Sequence, residues 1–322
     1  MRESRDLGVR VTKQASRLIK AAQATNLERY SKKPEGVWGS TATIVCGDVT
    51  IKSTELDFEF NIPFDDNLES NEGEIIVYNL SNNTLKRLTA KSKITITAGY
   101  NQGYRNVIDT GVIFNGYITK VSTKREDTDR VTTIKVIDDI GEKESLELSF
   151  TKGITAQEIL KALLEKTGLP IKVFAPKRDW TYDNDVSIDE PLESAIKTYS
   201  EVCGVSTFTS LGQIYCGDIT QFDDRTMIFD VKEDTGMIGS PTFFEDTVTV
   251  DGYEDTIEGY EIEMLLQHRL RAGSYIYLSC EEFKGKCWVV SGEHSFSESS
   301  CTTKVKAITK TTTVEKTEEE GS

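Results

Sequence analysis

The chain has 322 residues, 37% of them hydrophobic and 28% charged, with a formal net charge of −15. That length and composition exclude a disordered chain and allow two or three domains, each burying its own core. So acidic a molecule also excludes nucleic-acid binding by counterion release, and no sequence-specific nucleic-acid partner is expected.

The acidity is uneven. Residues 1–35 carry nine Lys and Arg against four Asp and Glu, a net of +5 that leaves −20 on the rest. The acidic body has two readings: charge kept for solubility, or the lining of a passage through which DNA slides without sticking. Residues 1–37 read as a basic arm in which Leu18, Ile19, Ala21 and Ala22 offer a short amphipathic helix. The N-terminus lacks the run of about 7–15 apolar residues of a signal peptide, and no run anywhere reaches bilayer length. Synthesis in the cytoplasm without membrane insertion is the expectation.

From Trp38 to Glu147 the pattern is mainly strands. "ATIVCGDVTI" comes first, and "LDFEFNIPF" follows with Phe58, Phe60 and Ile62 on one face. "EIIVYNL" places Ile75, Val77 and Leu80 against Ile76 and Tyr78, then breaks into a short helix over 81–88 whose Leu85 and Leu88 share a face. "KITITAGY", "TGVIFNGYITKVST" and "RVTTIKVIDDI" complete the set. Strands separated by charged turns predict an antiparallel barrel over 38–147, with the 81–88 helix plugging one end or bridging two strands.

The period changes over 148–218. In "GITAQEILKALLEKTGLP", Thr155 and Glu158 form a capping box, Ile154 staples against Ile159, and Ile159, Leu160, Leu163 and Leu164 make a stripe that Gly168 and Pro170 stop. "DEPLESAIKTYSEVCG" gives a second helix with Leu192, Ala195, Ile196 and Tyr199 on one face. Each helix leads into strand-like sequence, "IKVFA" and the hairpin "VSTFTSLGQIYCG", so this is an α+β middle module. Strands return over 219–312, predicting a second barrel, and 313–322 is a polar tail. The fold class is therefore mainly β, two antiparallel β-barrel domains around an α+β module.

No motif carries catalytic chemistry, and no catalytic, cofactor-binding or metal-ligating residue is assigned. The acidic doublets Asp65-Asp66, Asp138-Asp139, Asp223-Asp224 and Glu281-Glu282 read as solvated turn residues rather than a facing pair across a cleft. His294 reads as a strand residue with structural hydrogen bonds and His268 as a loop or edge residue; neither stands at metal-ligand spacing. "LGQIYCG" and "GMIGSP" are turn glycines, since neither precedes a helix as a phosphate cradle must. Cys46, Cys203, Cys216, Cys280, Cys287 and Cys301 read as free thiols without a secretory context, although Cys280 and Cys287 flank a turn. "GYNQGYRN" and Trp180 in "KRDWTYDN" offer aromatics for a glycan.

The ordered set of segments resembles the baseplate hub proteins of phage tails and phage-tail-like particles. "DFEFNIPFDDNLESNEGEIIVYNLSNNTLKRL" looks like that family's first barrel, "GITAQEILKALLEKTGLPI" with "DEPLESAIKTYSEVCGVSTFTSLGQIYCG" like its middle module, and "GYEIEMLLQHRLRAGSYIYLSC…KCWVVSGEHSFS" like its second barrel. The similarity spans roughly residues 40–312. Arg271-Ala272-Gly273 departs from the family's usual Pro-Gly, and the basic arm has no counterpart in its pattern. The resemblance implies a non-enzymatic homotrimer whose paired barrels make a pseudo-sixfold ring. That ring adapts the sixfold tail tube to the threefold central spike and holds the end of the tape measure protein. Other baseplate proteins are implied as partners, with the arm docking on a neighbour, and no cofactor is implied. The competing readings are a tail-associated peptidoglycan hydrolase and a host glycan-binding module.

Overall fold

The computed structural model describes residues 38–102, 107–138, 145–221, 228–250 and 253–315. The basic arm, residues 103–106 of "GYNQGYRN", Asp139, Asp223-Asp224 and most of the polar tail lie outside them.

The first run of strands is β1 (Trp38–Cys46), β2 (Val49–Lys52), β3 (Phe58–Asp65), β4 (Glu72–Tyr78), β5 (Lys93–Gln102), β6 (Val107–Glu126) and β7 (Asp129–Ile137). Alternation sets their faces: Phe58, Phe60 and Ile62 of β3 and Ile75 and Val77 of β4 are all buried. Between β4 and β5 lies the one-turn helix α1 (Asn82–Leu85), capped by Ser81, whose Oγ accepts from the Thr84 amide. The helix is shorter than its sequence suggests. Leu80 and Leu88, which flank it, are the residues that enter the core, while Leu85 stays half-buried.

The middle segment holds β8 (Ser145–Phe150), α2 (Ala156–Lys166), β9 (Ile171–Ala175), β10 (Val186–Pro191), α3 (Leu192–Val202), β11 (Ser206–Ser210) and β12 (Gln213–Gly217). Thr155 and Glu158 form the expected capping box on α2. The α2 stripe of Ile159, Leu160, Leu163 and Leu164 packs with Leu192, Ala195, Ile196 and Tyr199 of α3 in one cluster. Strand β8, unread in the sequence, pairs antiparallel with β10, and β9 pairs parallel with β12.

The last run is β13 (Ile228–Val231), β14 (Met237–Val250), β15 (Tyr253–Leu265), β16 (Tyr275–Ser279), β17 (Lys284–Phe296) and β18 (Cys301–Glu315). Strand β14 is longer than its sequence suggests. Gly239, at φ 66°, is not a turn residue but sits inside the strand, where the register with β15 breaks between Ile238 and Thr242. All six cysteine sulfurs are free.

The two strand runs are one sheet. Its path is β14-β15-β18-β17-β3-β4-β7-β6-β5-β1-β2, with β16 also on β17 and β13 parallel to β16. Among the described residues β14 and β2, the two ends of this path, do not pair with each other. The seam is β3 with β17, antiparallel from Phe60↔Phe296 to Asp65↔Ser291. Aromatic contacts cover it: Phe60 stacks on Phe296 at 5.4 Å, and Phe58 lies tilted against Phe296 at 5.5 Å.

Three hydrophobic clusters follow: one under β1–β7, one in the helical segment, one under β13–β18. Side chains cross between them. Leu68, in the β3–β4 loop, is 7% exposed and belongs to the helical cluster. Phe208 and Tyr215, stacked 5.4 Å apart on β11 and β12, belong to the cluster of the last strand run. Replacing Leu68 with Ala should cost about 2–4 kcal/mol and speed proteolysis within 145–221, as urea unfolding and limited digestion would show; an unchanged digestion rate would deny Leu68 its anchoring role.

Candidate functional site

Two features stand out, a long polar sheet face and a crevice between the two strand runs and the β11–β12 turn. Neither holds an assembled catalytic group, and among the described residues no three His, Cys, Asp or Glu stand together as metal ligands.

The face follows from the register. Opposite the buried Phe60–Ile75 pair, Asn61 stands beside Glu74, and Glu74 beside Lys135. Across the seam Asn61 Nδ2 donates to Glu293 at 3.0 Å. Glu293 then pairs with Lys304, Lys304 with Glu263, and Lys306 with Glu261. Five residues in this row are acidic if Glu59, two before Asn61 on β3, is included, against three Lys, so the face is mildly negative. It runs unbroken from one half of the sheet to the other.

The crevice is lined by Pro63 and Phe64 of β3, Val112–Asn115 of β6, Asp138, Thr209–Leu211 at the β11–β12 turn, His268, Leu270 and Arg271 of the β15–β16 loop, and His294 of β17. Leu211 and Gly212 turn with φ of 51° and 74°. His268 lies over Gly111, where a Cβ would stand 2.0 Å from its Nδ1, so only glycine admits the ring there. Its Nε2 meets Asp109 Oδ1 at 3.1 Å, with Arg269 3.7 Å from the same oxygen. The His268–Asp109 pairing was invisible in the sequence, where the two stand 159 residues apart.

His294 has the structural role its sequence suggested. Its Nε2 lies 3.1 Å from the Leu270 carbonyl and its Nδ1 2.9 Å from Thr303 Oγ1. A carbonyl only accepts, so Nε2 carries the proton and Nδ1 accepts from the threonine hydroxyl. Thr303 Oγ1 in turn accepts from the Gln267 amide at 3.0 Å. This neutral tautomer satisfies every group, and burial holds the pKa down at about 4.

The carboxylates beside the crevice depart from the sequence reading. Asp65, the last residue of β3, and Asp66 after it are half-buried rather than solvated, and burial raises both, Asp66 to about 6 with Asp65's charge adding to it. Burial likewise lifts Asp138 to about 7, against the hydrogen bonds it accepts from the Asn71 amide and, at 3.1 Å, from Asn71 Nδ2. A raised acid is protonated in the folded state and ionised in the unfolded chain above pH about 4, so its stabilising share is whole at low pH and lost as pH climbs through 7. Asp138→Asn should therefore lessen the loss of stability between pH 5 and 8 by about 2 kcal/mol, discounted for residual solvent contact. Urea midpoints at the two pH values would check it; the same slope in both proteins would refute it.

Among the aromatics proposed for a glycan, Trp180 is 63% exposed, while Tyr182 on the same loop packs against the helical cluster. Tyr100 faces the other way, 8% exposed, its hydroxyl donating to the Cys301 carbonyl. Among the described residues no helix is long and apolar enough to cross a membrane.

No protein-family profile matches the chain, and no curated protein matches it in sequence. Solved structures do match its fold. A 43 kDa tail protein of prophage MuSo2 from Shewanella oneidensis is 9% identical over 83% of this chain and 97% of that one, with a TM-score of 0.57. A tail protein from Neisseria meningitidis is 10% identical over 84% and 97%, at 0.59. An E. coli component of the type VI secretion system, described as structurally similar to the T4 bacteriophage tail proteins gp27 and gp5, is 11% identical over 83% and 76%, at 0.54. The chain thus has the mainly β fold of phage tail proteins and of that secretion-system component.

Proposed function

We propose that the chain is a structural baseplate hub of a phage tail or phage-tail-like particle and has no enzymatic role. The observation that carries this is the unbroken sheet through β17 and β3, which ties two strand-rich halves of one chain together along one continuous polar face. Three such chains would supply six halves, the number needed to meet a sixfold tail tube on one side and a threefold central spike on the other. The likeness in fold to phage tail proteins over more than four fifths of the chain supports the same reading.

In this proposal residues 38–147 and 219–312 are the two barrel units and 148–218 the module between them. The Glu-rich face of β3, β4, β15 and β17 lines the lumen, where mild negative charge keeps a passing polyanion from sticking. The tape measure protein ends inside the ring. The basic arm, residues 1–37, docks on a neighbouring baseplate protein.

Negative-stain microscopy tests this on the purified protein, alone and co-expressed with the particle's spike protein. Trimeric rings with a central hole and six peripheral lobes are expected. A persistent monomer in both samples overturns the adaptor role.

A further inference from the structure

The last strand run ends in an uncovered face. Among the described residues β14 pairs with β15 alone. Its Phe243 lies opposite Tyr260, on the side of the sheet that holds the core, yet is 53% exposed. The two rings meet edge-on at 5.6 Å, and Tyr260 lies 5.1 Å from Phe283, so an aromatic run leads from the core out to solvent. Two residues on, Glu245 shares that face and stands directly opposite Glu258. Like charges so placed destabilise each other, and Lys310, which follows Glu258 in the register, is one cation to two acids. Pro241 and the broken register between Ile238 and Thr242 spoil the β14 edge for an added strand. A partner therefore lies across the face rather than along the edge.

We propose that this face receives the basic arm of a second copy of the chain, centred on Arg17-Leu18-Ile19-Lys20. Charge selects the occupant. Residues 233–268 hold ten Asp and Glu and no Lys or Arg, half of the −20 carried outside the arm, whereas residues 1–35 carry +5. The β18 lysines answer other acids, Lys304 pairing with Glu263 at 3.9 Å and Lys306 with Asp246. In the arm an apolar pair stands between two cations, as on the face Phe243 stands beside acids. Position selects the second copy. The arm joins β1 at Trp38, at the end of the sheet path remote from β14. In a head-to-tail ring that end of one chain meets the β14 end of the next. The intervening residues 21–37 reach roughly 60 Å at full extension, ample to cross the joint. This inference rests on the ring assembly proposed above and identifies the neighbour on which the arm docks.

The test uses the full chain with p-benzoylphenylalanine in place of Phe243, sedimented to read assembly and then irradiated. Sedimentation as a ring is expected. A denaturing gel should show a light-dependent band of twice the chain mass, and mass spectrometry should map its crosslink to residues 1–37. Raising salt from 50 to 500 mM should weaken that band at least fivefold. The triple variant Lys13→Glu, Arg17→Glu and Lys20→Glu should lose it at least tenfold with an unchanged melting temperature. A second probe in place of Ile238, 40% exposed on the same strand, serves if the first disturbs the fold. Rings without an arm crosslink, or a triple variant that crosslinks like the wild type, would overturn the docking and leave the ring standing. An arm crosslink confined to the single-chain band would overturn the second copy and fold the arm onto its own chain. A monomer without an arm crosslink would overturn both the docking and the ring.

Discussion

Phe296→Ala is expected to cost about 3–5 kcal/mol, the range for emptying a large aromatic from a closed core. The ring is 6% exposed and sits between Phe58 and Phe60, at centroid distances of 5.5 and 5.4 Å. The loss falls on the seam, because Phe296 pairs with Phe60 across β17 and β3 and belongs to the core of the first strand run although β17 belongs to the last. Urea unfolding should therefore show more than a lowered midpoint. With the stack removed, the two halves of the sheet lose their main apolar link, and the transition should broaden or split. A Phe60→Ala partner completes the cycle, and a coupling of about 0.5–1.5 kcal/mol is expected from the shared stack. Strict additivity would show that the seam is held by its backbone ladder alone.

The second large effect is a pH dependence centred on His294. Its folded pKa lies at about 4 against 6.5 in the unfolded chain. The unfolded state binds the proton first, so the stability is whole above pH 6.5 and is lost as pH falls towards 4. Two and a half units at about 1.4 kcal/mol each give a loss of roughly 3 kcal/mol. Asp66 and Asp138 work the other way over the same range, since their raised values favour the folded state as pH falls. In the wild type the His294 loss therefore offsets part of the carboxylates' gain between pH 6.5 and 4. His294→Gln keeps a donor for the Leu270 carbonyl and removes the titration, so its stability should rise more steeply on acidification than that of the wild type. A variant profile parallel to the wild type would mean that His294 is protonated in the fold, and the neutral tautomer assigned to it would be wrong.

Local order was legible in the sequence because the forces that set it are local. The α2 capping box needs only Thr155 and Glu158 three residues apart, and the stripe of Ile159, Leu160, Leu163 and Leu164 reads off a 3.6-residue period. The β3 and β4 faces follow from alternation alone. What failed is set by distant partners. The β3–β17 seam joins residues such as Asn61 and Glu293, 232 positions apart, and neither segment carries a mark of the other. Leu68 stands in "DDNLESNEG", which reads as a polar turn, and only the helical cluster above it makes that leucine an anchor. Asp66 and Asp138 look like ordinary turn acids until the neighbouring walls desolvate them. The crevice was hidden for the same reason: β3, β6, the β11–β12 turn and the β15–β16 loop each contribute a few residues, and no stretch contains it.

The seam also sets a timetable for biosynthesis. Strand β3 leaves the ribosome long before β17, and 232 residues separate Asn61 from the Glu293 it will meet. At about 5–20 residues per second that is a wait of roughly 10–50 s. Through that interval the β3 edge has β4 on one side and nothing yet made on the other, with the rings of Phe58 and Phe60 still lacking Phe296. A nascent chain in that state presents a bare strand edge beside exposed aromatics, the combination that recruits neighbouring chains. Crowded polysomes and truncated products are where this protein is most exposed to aggregation, and slower elongation after residue 80 should raise its insoluble fraction.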